Sequence, residues 1–339
     1  MTLRIRAAIG VLAIALVTLP ALARADATWP ISTKGTFLVM NKSDNTVTLV
    51  ALASGEPLAT LPTGREPHEG AASPDGRFVV ITNTDYRKER GHTLTVIDVV
   101  ERKVASTISL GEYANPHGIM FMPDGKRVIV TTEGRDAVVL VDVEKGEITQ
   151  TIGTGGSACH MVVVSPDGKR AYATSIQSGT LVVLDLEKGE LIKTIFAGDG
   201  AEGLDIAPDG SEIWVGNRRE DTIAIIDTKT LEITGRIESK GFPIRLKFAL
   251  GGKVALVSNY RASVVSVFDR ASRKELARIP IKTDAVPIGI LVAPDGRHAF
   301  IANTRASVIT IIDVQKRKVV TTLQAGNTPD GMAWTRLGG

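Results

Sequence analysis

The sequence predicts an all-β fold, a single seven-bladed β-propeller of four-stranded blades, and three observations carry that prediction. A Pro-Asp-Gly turn recurs at Pro74, Pro123, Pro166, Pro208 and Pro294, with a degenerate copy at Leu250, in steps of 49, 43, 42, 42 and 44 residues. An aspartate closes an apolar strand in each unit, at Asp98, Asp142, Asp185, Asp227, Asp269 and Asp313. Between these markers each unit has room for four short runs rich in β-branched residues, without sustained helical periodicity. A period of about 40–45 residues with four strands is one propeller blade.

The chain begins with the pattern of a secretory leader. Arg4 and Arg6 precede an apolar run over residues 7–19, Pro20 follows, and Ala23-Arg24-Ala25 offers small residues for cleavage before Asp26. The run is short for a membrane span. Residues 1–25 are therefore expected to be removed, leaving 26–339 as one exported domain, periplasmic or secreted, with no membrane span and monomeric.

Removing the leader also removes the net charge. The formal +3 comes from 40 basic and 37 acidic residues, and the leader holds Arg4, Arg6 and Arg24 but no acid. The mature chain is formally neutral, which gives no electrostatic ground for nucleic-acid binding. Cys159 is the sole cysteine, so an intramolecular disulfide and a two-cysteine haem attachment are both excluded.

Within a blade, the third unit is representative. Its expected strands are residues 119–122, 127–131, 137–143 and 147–152, the first two joined by Pro123-Asp124-Gly125. Proline presets one turn dihedral and glycine accepts a positive φ, which makes a tight hairpin. Residues 37–64 supply three strands without a first one. The final Pro329-Asp330-Gly331 imitates a hairpin turn, but it lies 42 residues after Pro287 and aligns with the start of an inner strand. The two chain ends should therefore complete the first blade together, leaving no open edge.

Strand ends such as Val80-Ile81-Thr82-Asn83, Ile213-Trp214-Val215-Gly216-Asn217 and Phe300-Ile301-Ala302-Asn303 accompany the Pro-Asp-Gly turns and Ile-Asp strand ends. Together they resemble YVTN-type β-propeller repeat proteins over essentially the whole mature chain. The resemblance implies the blade and leaves the chemistry open. Exported members include proteins associated with quinoprotein-dependent catabolism, and related seven-bladed folds include lactonases and lyases. No catalytic motif of the family is matched residue by residue.

One register stands out. Six positions before each turn proline, the position that should line the channel holds His68, His117, His160, Glu202, Ile244 and Ile288, and closure adds Asp330. Three of the five histidines share this register. Imidazole and carboxylate form the ligand set of zinc, manganese, iron or copper, and an open coordination position would activate water. His68, His117 and His160 are the candidate metal ligands, with Glu202 and Asp330 as ligands or general bases. The competing reading is a wet, metal-free polar funnel. Glu66 and Glu69 flank His68, either as partners that support it or as plain solvated charge.

Arginines on the loops after the second strands, Arg135, Arg218, Arg261 and Arg305, suit a small anion, as does Arg245 on the sixth inner strand. Ordinary solvated loop charge explains them equally. Arg245 and Lys247 should face the channel, where Asp205 is a ready counter-charge. Cys159 with Met161 forms either a soft copper pair or, as buried cysteines more often do, part of the apolar packing. Residues 85–92 account for the longest repeat step and form either a lid or a plain insertion. His298 reads as structural. Two functions follow: a metal-assisted hydrolase or lyase acting on a small anion, or a non-catalytic scaffold serving a periplasmic quinoprotein-type dehydrogenase or another protein partner.

Overall fold

The computed structural model describes residues 29–339 except 88, 89 and 283, so the expected leader lies outside the described residues. Seven four-stranded antiparallel sheets form a ring. Blade one joins β28 (Pro329–Thr335) to β1 (Thr36–Asn41), β2 (Thr46–Ala51) and β3 (Pro57–Pro62), as the alignment of the chain ends requires. Phe37 faces Trp334 and Leu38 faces Ala333 across this closure, and Thr36 Oγ1 donates to the Leu337 carbonyl at 2.7 Å. Pro329-Asp330-Gly331 begins a strand and makes no hairpin.

The remaining inner strands are β4 (Pro67–Ala72), β8 (Pro116–Phe121), β12 (Cys159–Val164), β16 (Ala201–Ile206), β20 (Pro243–Ala249) and β24 (Pro287–Val292). In blade three, β8 is followed by β9 (Arg127–Thr132), β10 (Ala137–Asp142) and β11 (Glu147–Gly153). The inner strand starts three residues earlier than the apolar run suggests, because the channel-lining residue already belongs to it.

The two sequence markers have local causes. Gly76, Gly125, Gly168, Gly210 and Gly296 hold φ between +67° and +85°, and Gly252 keeps φ +83° where the turn is degenerate. The strand-end aspartates cap the next turn. Asp98, Asp185 and Asp227 each accept backbone N–H groups from two and three residues further on, at 2.7–3.1 Å. The core lies between blades: Trp214, Phe248 and Phe268 pack edge to face with Leu246 and Val257 between blades five and six.

Two repeated irregularities build the channel. Each inner strand is entered through a left-handed corner two residues before its channel residue: Glu66, Asn115, Ala158, Gly200, Phe242, Val286 and Thr328 all have positive φ. Each of the six inner strands β4 to β24 then bulges against its neighbour. Pro67 faces Asn83 but Gly70 faces Ile81, so His68 and Glu69 share one partner position, and the other five strands shift register at the same place.

Candidate functional site

The bulge gives each inner strand two successive residues near the axis. The upper layer is Asp330, His68, His117, His160, Glu202, Ile244 and Ile288, as the register predicts. All are buried except Ile288, which is half-buried. The layer below is Gly331, Glu69, Gly118, Met161, Gly203, Arg245 and Gly289. The glycines allow neighbouring blades to meet: a Cβ on Gly331 would stand 1.8 Å from the His68 carbonyl oxygen, and one on Gly289 2.0 Å from that of Asp330.

Hydroxyls on the second strands hold the upper layer in place. Thr82, Thr131 and Thr174 donate to the carbonyls of His117, His160 and Glu202, at 2.9 Å for Thr82 and 2.6 Å for Thr174. The same hydroxyls accept the backbone N–H of Glu69, Gly118 and Met161 at the bulges.

The three imidazoles lie in tilted contact, with ring centroids 3.8 Å apart for His68 and His117 and 3.6 Å for His117 and His160. Nε2 of His68 lies 3.1 Å from Nε2 of His117 and 3.3 Å from Asp330 Oδ2. His160 sits between two carboxylates, its Nδ1 hydrogen-bonded to Glu133 and its Nε2 3.3 Å from Glu202 Oε1 but out of hydrogen-bond alignment. Glu202 is surrounded by cations: Arg218 Nη1 bonds one oxygen, and Arg245 Nη1 the other at 3.1 Å. Lys42 Nζ lies 3.6 Å from Asp330 Oδ2.

Burial sets the protonation states, modified by these neighbours. It lowers the affinity of His68 and His117 for a proton well below the histidine norm, with Lys42, Arg245 and His160 adding repulsion. Burial acts the same way on His160, but Glu133 and Glu202 overcome it and raise its pKa. Burial alone would raise Glu202; the adjacent His160 and the charges of Arg245 and Arg218 hold it at about 2. Burial raises Glu69 despite Arg245 beside it.

With neutral imidazoles, Glu69, Glu133, Glu202 and Asp330 face Lys42, Arg218 and Arg245, an excess of one negative charge. A protonated His160 or a bound cation balances it. His68 Nδ1, His117 Nδ1, His160 Nε2 and Asp330 Oδ1 are buried without hydrogen-bond partners, the condition in which an ion or water is expected. Two sets of side chains have donor atoms within 4.8 Å of one another: His68 with Glu69 and His117, and His117 with Glu133 and His160.

The predicted arginines separate. Arg218 binds Glu202, and Arg245 spans Glu202 and Glu69; both belong to the channel. Arg261 lies 4.2 Å from the Phe242 ring centroid, with Arg218 5.3 Å from the same ring. Arg135 pairs with Glu112 and Arg305 with Asp284 at 3.8 Å, both solvent-facing and away from the ring. Lys247 meets Asp205 at 3.2 Å. Cys159 is fully buried among Val162, Val164 and Ala173, so it packs in the core beside the channel, and burial pushes its thiol pKa up. His298 bonds Asp295 at 2.6 Å at the turn end.

Sequence reasoning missed Glu133 and Lys42. Both occupy the first position after a second strand, a register shared by Lys42, Thr84, Glu133, Ile176, Arg218, Tyr260 and Thr304, so the repeat carried the signal. It also missed Tyr86, whose ring lies 5.8 Å from Lys42 Nζ and whose hydroxyl pKa is pushed up by burial and by the neighbouring Glu133. Tyr86 thus stands over the polar half of the ring.

A closed ring of seven blades around a buried histidine and carboxylate layer defines a propeller with a central polar site. A model of the lactonase family with a seven-bladed β-propeller matches residues 85–285, and the chain belongs to that family. Among solved structures, a chain of hydrazine synthase from Kuenenia stuttgartiensis matches with TM-score 0.72 and 20% identity over 87% of this chain and 98% of that one. A functionally unknown protein from Desulfotomaculum acetoxidans DSM 771 matches with TM-score 0.75 and 16% identity over 89% and 99%. At these identities the likeness concerns the fold. A search of curated proteins found no match.

Proposed function

We propose that the chain is an exported propeller that binds a small anionic ligand in its central channel beside a divalent metal held by His68, His117 and Glu69. The observation that carries this reading is the 3.1 Å separation of the His68 and His117 Nε2 atoms; Glu69 shares their cluster, its nearest approach to His68 being 3.9 Å, to Nδ1. Two ligands roughly 2.0–2.1 Å from one ion stand about 2.9–3.4 Å apart. His160 is less suited, since both its nitrogens face carboxylates that favour its protonated form. Two imidazoles and one carboxylate leave open positions, in the manner of zinc and non-haem iron sites.

A bound metal would supply an activated water for a hydrolase or lyase reaction. Asp330 fits the base better than Glu202 does. Its Oδ1 is buried and unpaired, whereas both oxygens of Glu202 are taken by arginines. Metal analysis of protein purified from the periplasm tests the reading: about one ion per chain, lost in His117→Ala and Glu69→Gln and kept in Glu133→Gln. Folded protein with far less than one ion, or with content unchanged in His117→Ala, overturns it. Amino-terminal sequencing of the same sample should begin at Asp26 if the leader is cleaved as expected.

A scaffold role is favoured by one separate observation. Leu191, Ile192 and Phe196 on β15 (Glu190–Phe196), the outer strand of blade four, are 40%, 43% and 60% exposed. An apolar outer edge of this kind suits a protein partner, a periplasmic quinoprotein-type dehydrogenase being one instance. Crosslinking in periplasmic extract, with Ile192→Lys and Phe196→Asp removing the adduct, would favour that role.

A further inference from the structure

The central channel is divided. Arg245 crosses it from blade six to Glu69 on blade two, and Glu202 holds the same guanidinium from above. Below this bridge lies a cavity of about 370 Å³, with Arg245 and Glu69 in its lining and Pro74 of a Pro-Asp-Gly turn in its wall. The cavity therefore extends towards the turn face, opposite Tyr86 and the loop arginines.

Its lining is chemically distinct from the ring above. Met120, Met161 and Met332 line it, three of the five methionines beyond the leader, together with Ile290 and Leu291. Met120 and Met161 are only partly buried, so their thioethers are not fully absorbed by core packing. Thioether side chains adapt to varied apolar shapes. The charged lining is Arg245 and Lys247 against Glu69, with Asp205 pairing Lys247 from beside it. The Lys247 side chain is 37% exposed and meets one carboxylate, Asp205, at 3.2 Å, which leaves ammonium N–H groups available. Gly289 and Gly331 also line the space.

We propose that this lower compartment is a second binding site, reached from the Pro-Asp-Gly face, for a small carboxylate with an apolar body. The apolar body lies among Met120, Met161, Met332 and Ile290, and the carboxylate meets Lys247. The volume equals that of roughly a dozen waters and falls in the range of small-molecule sites. The proposal does not depend on the metal reading, because the Arg245–Glu69 bridge separates the cavity from the imidazoles.

Fluorescence titration with 2-naphthoate tests it, using the full mature chain treated with EDTA. Saturable binding of one molecule per chain is expected, at least tenfold weaker in Lys247→Glu and lost in Ile290→Trp, whose indole fills the cavity. Met120→Phe provides the same obstruction should Ile290→Trp misfold by circular dichroism. Binding should persist in His117→Ala, which removes the proposed metal site, and in Arg261→Ala at the opposite face. Absence of saturable binding overturns the proposal. So does equal affinity for the uncharged 2-naphthalenemethanol, unchanged affinity in both filled variants, or loss of binding in Arg261→Ala.

Discussion

Arg245 of blade six and Glu69 of blade two meet across the channel axis, Nη2 to Oε1 at 2.9 Å, although 176 residues separate them in the chain. Both are the second residue of a strand bulge, and the intervening glycines leave the space they cross. The pair closes the floor of the imidazole layer and forms the roof of the cavity beneath it.

Removing that guanidinium should be severe. Arg245→Met leaves Glu69 and Glu202 buried without their shared cation, and breaking a buried pair from one side costs about 3–5 kcal/mol. The double variant Arg245→Met with Glu69→Gln should recover part of the loss. Urea denaturation of both variants checks this, and an effect below about 1 kcal/mol for the single change would contradict the bridge. The exposed Lys193–Glu232 pair is the control, with about 0–1 kcal/mol expected.

The glycines of the lower layer make a steric prediction. Gly331→Ala drives a Cβ into the His68 carbonyl between two inner strands and should cost several kcal/mol or prevent ring closure. Gly153→Ala, at the end of β11, meets nothing within 4 Å and should be neutral to slightly stabilising. Thermal melts of the two variants separate the cases.

The His160–Glu202 pair should give stability a defined pH window. Glu202 is held near 2 against an ordinary 4.5, so its contribution is present above 4.5 and lost as pH falls towards 2. The pKa of His160 is raised above 6.5, so its contribution is present below 6.5 and lost as pH rises through the raised value. In EDTA-treated protein, the stability difference between the parent and His160→Gln should be largest between pH 4.5 and 6.5. A difference that is flat from pH 3 to 9 would show that the pair is not ionised as described.

Metal should raise the melting temperature if His68, His117 and Glu69 hold it, since a ligand that binds only the native state stabilises by mass action. Adding zinc or manganese to EDTA-treated protein should shift the melt upward, by about 2.7 kcal/mol at one hundred times Kd. The shift should vanish in His117→Ala and survive in Cys159→Ala, whose thiol is in the core. An equal shift in His117→Ala would place the ion elsewhere.

The sequence by itself determined the architecture, because each blade repeats a turn whose glycine needs positive φ and an aspartate that caps the next one. These are local requirements, visible at a fixed period. The same period located His68, His117, His160, Glu202 and Asp330 in one layer and paired the chain ends. What only the tertiary structure decided is which of these groups meet, and what meets them. Arg245 was expected in the channel from the alternation of its strand, but the bulges break that alternation, so Glu69 also enters beside His68, and the two meet. Contacts across the axis join blades that are distant in the chain, so spacing carries no record of them. Arg135 and Arg305 looked equivalent to Arg218 in the repeat, yet Arg218 alone of the three reaches Glu202. Glu133 and Lys42 share that register with Arg218, but their importance emerged only when the folded ring set them beside His160 and Asp330.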